Sequence, residues 1–160
     1  ELFRYCFAST DVTLRNCNPY VRPRAANYTF LFGLKMEMEV RYQDDKDDIL
    51  ADRWPEYREY VKKVDSLRAR YWDIFSRGEF VDEDPLENAC PGLLAKAFVS
   101  GNHMVTALWN DSEQPVWLKG FRAPGWGATE AATVDAAYSS LPEQLGPGEI
   151  LAVLWEKEGR

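Results

Sequence analysis

Several side chains in this sequence are of types that do chemistry, and their neighbours decide what each can do. Asp44, Asp45, Asp47 and Asp48 could offer oxygens to Ca²⁺, which takes several carboxylate ligands. Their spacing lacks the alternating positions and the glycine at the sixth that an EF-hand loop needs, so a solvated acidic loop over 42–50 is expected. Glu37 and Glu39 alternate with Met36 and Met38, the period of a half-exposed strand. His103 is the single histidine and has no nucleophile pattern beside it, which predicts a structural role. Ser100, Ser139 and Ser140 lack the Gly-x-Ser-x-Gly frame of a nucleophile elbow, and no glycine-rich phosphate loop is present. Cys6, Cys17 and Cys90 are too few and too scattered for a disulfide framework or a zinc set. Reduced, half-buried thiols are expected, with no metal and no cofactor. Asn27-Tyr28-Thr29 and Asn110-Asp111-Ser112 match the short glycan-acceptor pattern. Trp117 and Trp126 are the aromatics best placed to meet solvent, Trp126 within the turn Pro124-Gly125-Trp126-Gly127. Large aromatics are usually mostly buried, so capping a core is the ordinary role for either.

The elements that must hold these groups follow from pattern. Leu2 to Phe7 is rich in β-favouring aromatics and predicts a buried strand. Asp11 to Arg15 predicts a short extended segment, and Asn16 to Asn27, with Pro19 and Pro23, a long irregular loop. Tyr28 to Leu34 fits helix or strand, and Lys35 to Val40 alternates as a strand. Trp54, Tyr57, Val61, Val64, Leu67, Tyr71, Ile74 and Phe75 recur every three or four residues, one apolar stripe of a helix over 53–76. Asp52 suits its N-cap, and Gly78 suits a left-handed residue beyond its last turn. From Leu93 the period falls to two. Leu93–Val99, His103–Trp109, Val116–Phe121, Ala128–Ala137 and Glu149–Trp155 predict strands, with turn chemistry at Ser100-Gly101-Asn102 and Asn110 to Gln114. Strands at that spacing indicate a small antiparallel sandwich.

Composition bounds the function. Apolar residues are 46% of 160 and aromatics 14%, enough for a proper core. A net charge of −7 repels phosphate backbones and anionic lipid surfaces, so neither nucleic acid nor membrane is an expected partner. No stretch approaches the ~20 apolar residues of a membrane span, and no signal-peptide pattern is visible, which leaves the compartment open.

Five phrases in order carry a resemblance. They are Glu1-Leu2-Phe3-Arg4-Tyr5-Cys6-Phe7, the helix from Glu56-Tyr57-Arg58 to Ile74-Phe75, Gly78-Glu79-Phe80-Val81-Asp82, Ala107-Leu108-Trp109-Asn110-Asp111-Ser112, and Leu145-Gly146-Pro147-Gly148-Glu149-Ile150. Together they resemble the end of (β/α)8-barrel glycoside hydrolases of the α-galactosidase-like and α-amylase-like sort. The resemblance lies in order and texture over nearly the whole chain, and no single phrase is diagnostic. It implies an α+β chain: residues 1–80 as the last strands and long helix of a barrel, and 86–160 as a carboxy-terminal antiparallel β-sandwich.

It also implies where chemistry lies. Glycoside hydrolysis uses two carboxyl groups, and in the resembled enzymes the main pair comes from middle strands, upstream of Glu1. The expected partners are a carbohydrate substrate and the upstream barrel part of the same enzyme. At the strand ends that remain, Arg15, Asn16 and Asn18 are placed to hydrogen-bond sugar hydroxyls, and Glu37 and Glu39 to line the same mouth. Trp126 and Trp117 are the candidates for stacking on a pyranose ring. Two other functions fit the same pattern: a non-catalytic carbohydrate-binding module, with Trp117 and Trp126 exposed and coplanar, or a structural β domain that only shields the barrel.

Overall fold

A computed structural model describes residues 13–15, 24–37 and 55–159. The expected strand at Leu2 to Phe7, the acidic run from Asp44 to Asp48, the Asp52 cap, Cys6 and Cys17 lie outside the described residues.

Strand β1 (Thr13–Arg15) and strand β2 (Lys35–Glu37) pair in parallel, with helix α1 (Arg24–Leu31) between them in sequence. The stretch expected to be a loop as far as Asn27 is thus helical from Arg24. Gly33 adopts φ 59°, and a Cβ there would press within 2.7 Å of the Phe98 ring, so the turn into β2 requires glycine.

The long amphipathic helix is present but broken. Helix α2 runs Pro55–Arg70 and helix α3 Trp72–Arg77, with Tyr71 (φ −117°, ψ 24°) at the break. The stripe is as expected: Tyr57, Val64, Leu67, Tyr71 and Phe75 are buried, and Val61 and Ile74 pack at the margin. Gly78 corrects one expectation. Its φ of −71° and ψ of 155° are extended, not left-handed. Glycine is needed there for closeness: a Cβ would lie 2.4 Å from the Ile74 carbonyl oxygen, which also accepts from the Gly78 amide.

Beyond Gly78 the chain is antiparallel. Strands β3 (Glu79–Asp82), β5 (Leu93–Ser100), β6 (His103–Asn110), β9 (Trp126–Ala132), β10 (Ala137–Tyr138) and β12 (Ile150–Lys157) form one sheet in the order β10-β9-β12-β6-β5-β3. Two short ladders stand apart from it. One joins β4 (Glu87–Asn88) to β8 (Phe121–Arg122), the other β7 (Val116–Trp117) to β11 (Gln144–Leu145). The expected strand Val116–Phe121 is therefore cut by a 3-10 turn at Leu118–Gly120. The architecture is α+β.

Alternation along the central strands builds two cores. Val105, Ala107 and Trp109 of β6, with Ile150 and Ala152 of β12 and Phe98 of β5, face the three helices. Met104, Leu108, Leu151, Val153 and Trp155 face the opposite way, under the two short ladders and Leu118 and Phe121. The first core belongs jointly to the helical half and the sheet.

Candidate functional site

The parallel register sets Arg15 opposite Glu37, the last described residues of β1 and β2. The backbone thus sets these two candidates side by side across the parallel pair. Asn16, Asn18 and Glu39 lie outside the described residues.

Nearby in sequence, α1 is fastened to the end of the sheet by polar contacts. Arg24 forms a two-pronged pair with Asp111 (Nη1–Oδ1 2.5 Å, Nη2–Oδ2 2.9 Å), and its guanidinium lies 5.1 Å over the Trp109 ring. Asn27 donates to the Gly148 carbonyl (2.9 Å) and accepts from the Tyr60 hydroxyl (2.5 Å). Burial pushes the Tyr60 phenol up to about 12, and the bond to Asn27 only partly offsets this. Further along, the Tyr71 hydroxyl donates to Glu130 (2.6 Å), Arg70 pairs with the same carboxylate, and Arg68 donates to the Leu34 carbonyl.

Asn110 is the centre of a second network, one that its sequence setting in a turn did not reveal. Its side-chain NH2 faces the carbonyls of Gln114 (2.8 Å), Leu145 (3.0 Å) and Gly146 (2.9 Å), its two hydrogens shared among the three. Its oxygen accepts from the Ser112 amide (3.0 Å) and hydroxyl (2.7 Å). The side chain is 0% exposed. Asn27 is buried too, so in the folded chain both glycan-acceptor triplets have their asparagine occupied by internal hydrogen bonds.

Lys96 is buried at 6% exposure, on the helix-facing side of β5. Its ammonium meets Asp82 (2.5 Å) and Glu83 (2.8 Å) and lies 5.6 Å over the Phe32 ring. Burial alone would depress it; the hydrogen bonds to the two carboxylates outweigh that and hold it above the usual lysine range. Asp82 sits at a bulge between β3 and β5 with φ 55°, a left-handed conformation uncommon outside glycine. Both carboxylates serve this cation, so the cluster neutralises a buried charge.

The two tryptophans differ. Trp126 opens β9, is half-buried against the second core, and carries the Lys157 ammonium 6.0 Å over its ring. Trp117 is 63% exposed. It lies in a groove of about 490 Å³ whose lining includes Pro91, Gln114, Pro115 and Lys119. Cys90 is in the same wall, but burial raises its thiol and keeps it protonated. His103 is exposed at the start of β6. Among the described residues no cluster of His, Cys, Asp and Glu could hold a metal, and no helix is long and apolar enough to cross a membrane.

No protein-family profile matches the chain, and no curated protein matches it in sequence. Solved structures match its fold. A GH30 endoxylanase from Clostridium papyrosolvens aligns over 97% of this chain and 44% of its own, with TM-score 0.55 and 11% identity. A variant of AmyP bound to maltotriose aligns over 84% of this chain and 34% of its own, with TM-score 0.50 and 12% identity. The fold is glycoside-hydrolase-like. The chain spans less than half the length of either structure.

Proposed function

We propose that this chain is the carboxy-terminal portion of a glycoside hydrolase. Residues up to about 80 supply the last β–α–β step and closing helices of a barrel, and residues from about 86 supply the accessory β domain. The observation that carries this reading is the order of elements. A parallel β1–α1–β2 unit passes through two helices into an antiparallel sheet, and the likeness of fold to a GH30 endoxylanase, which aligns over 97% of the chain, supports it. In this reading, Arg15, Asn16, Asn18, Glu37 and Glu39 are assigned to the mouth where a barrel holds its substrate. They bind sugar hydroxyls. The carboxylic acid pair that protonates the leaving oxygen and attacks, or activates water, comes from the preceding part of the barrel.

The test compares the 160-residue chain with the product of the complete open reading frame that encodes it. Both are assayed on xylan, starch and aryl glycosides. Hydrolysis by the longer product and none by the 160 residues is expected. A reading frame that yields no glycosidase, or full activity in the 160 residues, sinks the proposal.

A further inference from the structure

The groove beside Trp117 lies against the second core, on the opposite side of the six-stranded sheet from the helices and from the parallel strands. It is therefore separate from the mouth proposed above. Trp117 is the most exposed large apolar side chain among the described residues. Its exposure is fixed by its neighbours. Val116 and Leu118 on either side are buried in the second core, Trp117 pairs with Gln144 across the ladder, and the Leu118 amide donates to the Glu143 carbonyl at 2.9 Å. The indole is thus held outward by its buried neighbours and the ladder rather than left on a loop.

The groove's polar edges are free as well. Among the described residues, neither the Gln114 side-chain amide nor the Lys119 ammonium has a hydrogen-bond or ion-pair partner, and both line the groove with Trp117. The opposite case is Ser112, whose hydroxyl is committed to Asn110 and to the Gln114 carbonyl, which stiffens that wall. A groove of about 490 Å³ falls within the range of small-ligand sites, ~300–1,000 Å³. One flat aromatic, an amide that both donates and accepts, and a single cation suit a neutral ligand with an apolar face and a hydroxylated rim.

We infer that the Trp117 groove is a non-catalytic binding site for a neutral oligosaccharide, with a pyranose ring stacked on the indole and its hydroxyls bonded by Gln114 and Lys119. The inference rests on the carbohydrate reading of the fold. A site on the far side of the sheet would hold a polymer near the enzyme without entering its mouth.

The experiment titrates the chain with xylohexaose, cellohexaose and maltohexaose by calorimetry, beside its Trp117→Ala and Trp126→Ala variants. Binding of at least one hexasaccharide is expected, weakened about tenfold or more by Trp117→Ala and less than about twofold by Trp126→Ala. Because Trp117 is exposed, its variant should unfold at the wild-type midpoint, and thermal unfolding checks this. No binding of any of the three sugars, or equal binding by wild type and Trp117→Ala, overturns the site. So does a dimer that dissociates only in Trp117→Ala, which would make the indole a contact between copies. The outcomes separate from those above. Glycosidase activity with no Trp117 effect removes this site alone. A Trp117-dependent affinity without hydrolysis by the full reading frame removes the hydrolase reading alone.

Discussion

The two faces of the six-stranded sheet are held by different means. On the helix side the contact is made of large rings, Phe30, Phe75, Phe80 and Phe98, with centroids 4.9–5.6 Å apart in successive tilted or edge-on pairs. Polar pins surround them: Arg24 to Asp111, Asn27 to Gly148, Tyr71 to Glu130. On the other side the sheet offers Ala95, Ala97 and Ala131 beside Met104, Leu151 and Trp155, and what covers it is two ladders of two residues per strand. Such ladders are too short to stand on their own pairing. That face depends on a hub, Asn110, which ties the turn after β6 to β11. Both faces bury an apolar core, but the far face also hangs on a single buried hydrogen-bonded node, and substitutions should separate the two.

The largest effect is expected at Phe98. It is fully buried and touches both Phe75 and Phe80. Phe98→Ala leaves a cavity beneath the helices and should cost about 3–5 kcal/mol, read as a lower urea midpoint. A loss under about 1 kcal/mol would mean that the helical face does not rest on its rings.

Asn110→Ala addresses the other face. It strips the donor from three carbonyls and the acceptor from Ser112 in a site without solvent access. The cost should be about 3 kcal/mol, since buried groups left unpaired lose their hydration without compensation. Amide hydrogen exchange should localise it: the Val116–Trp117 and Gln144–Leu145 ladder opens first, while α2 stays protected. Loss of protection in α2 to the same degree would show that the two faces are one cooperative unit.

These two sites also show what sequence could and could not tell. The stripe of α2 and α3 and the strands β5, β6 and β12 were legible because a period of 3.6 or 2 persists for eight residues or more. Helix α1 was not. It is eight residues long, contains Asn27, Tyr28 and Thr29, and gains its stability from Phe30 and Leu31 docking on the sheet. Val116–Phe121 read as one strand because the 3-10 turn within it uses ordinary residues. Of the candidate site, only the pairing of Arg15 with Glu37 across β1 and β2 falls among the described residues, and that parallel pairing is not encoded by local pattern. Trp117 and Trp126 looked alike in composition. Burial of both neighbours is what turns Trp117 outward, and burial is a property of the fold.

Alkaline pH sharpens the comparison further, because three of the raised groups, Tyr60, Tyr71 and Lys96, lie on the helix side. Tyr60 rises to about 12 through burial, Tyr71 is raised by burial and by Glu130, and Lys96 is raised by Asp82 and Glu83. A pKa raised on folding stabilises fully below the unfolded value and is lost as pH climbs toward the folded value. For Tyr60 that window is from 10 to about 12. Urea midpoints should therefore fall above pH 10. Tyr60→Phe should cost about 1 kcal/mol at pH 7, through the lost bond to Asn27, and should make the decline above pH 10 shallower. An unchanged alkaline slope would remove Tyr60 from the account.

The smallest effect is expected at a contact that looks strong by distance. Lys63 meets Asp135 at 2.6 Å, linking α2 to the turn between β9 and β10, but the two side chains are 51% and 67% exposed. Water screens such a pair, and ordering two flexible side chains offsets most of the attraction. Lys63→Ala should change stability by less than about 0.5 kcal/mol, and less still in molar salt, where the Debye length is ~3 Å. Its neighbour Val64 is buried in the first core, so the same helix carries a near-neutral position and a costly one side by side. A loss above 1 kcal/mol at Lys63 that vanished in salt would mean that surface charge helps to seat α2. A negligible loss leaves the helix seated by its apolar stripe and buried pins.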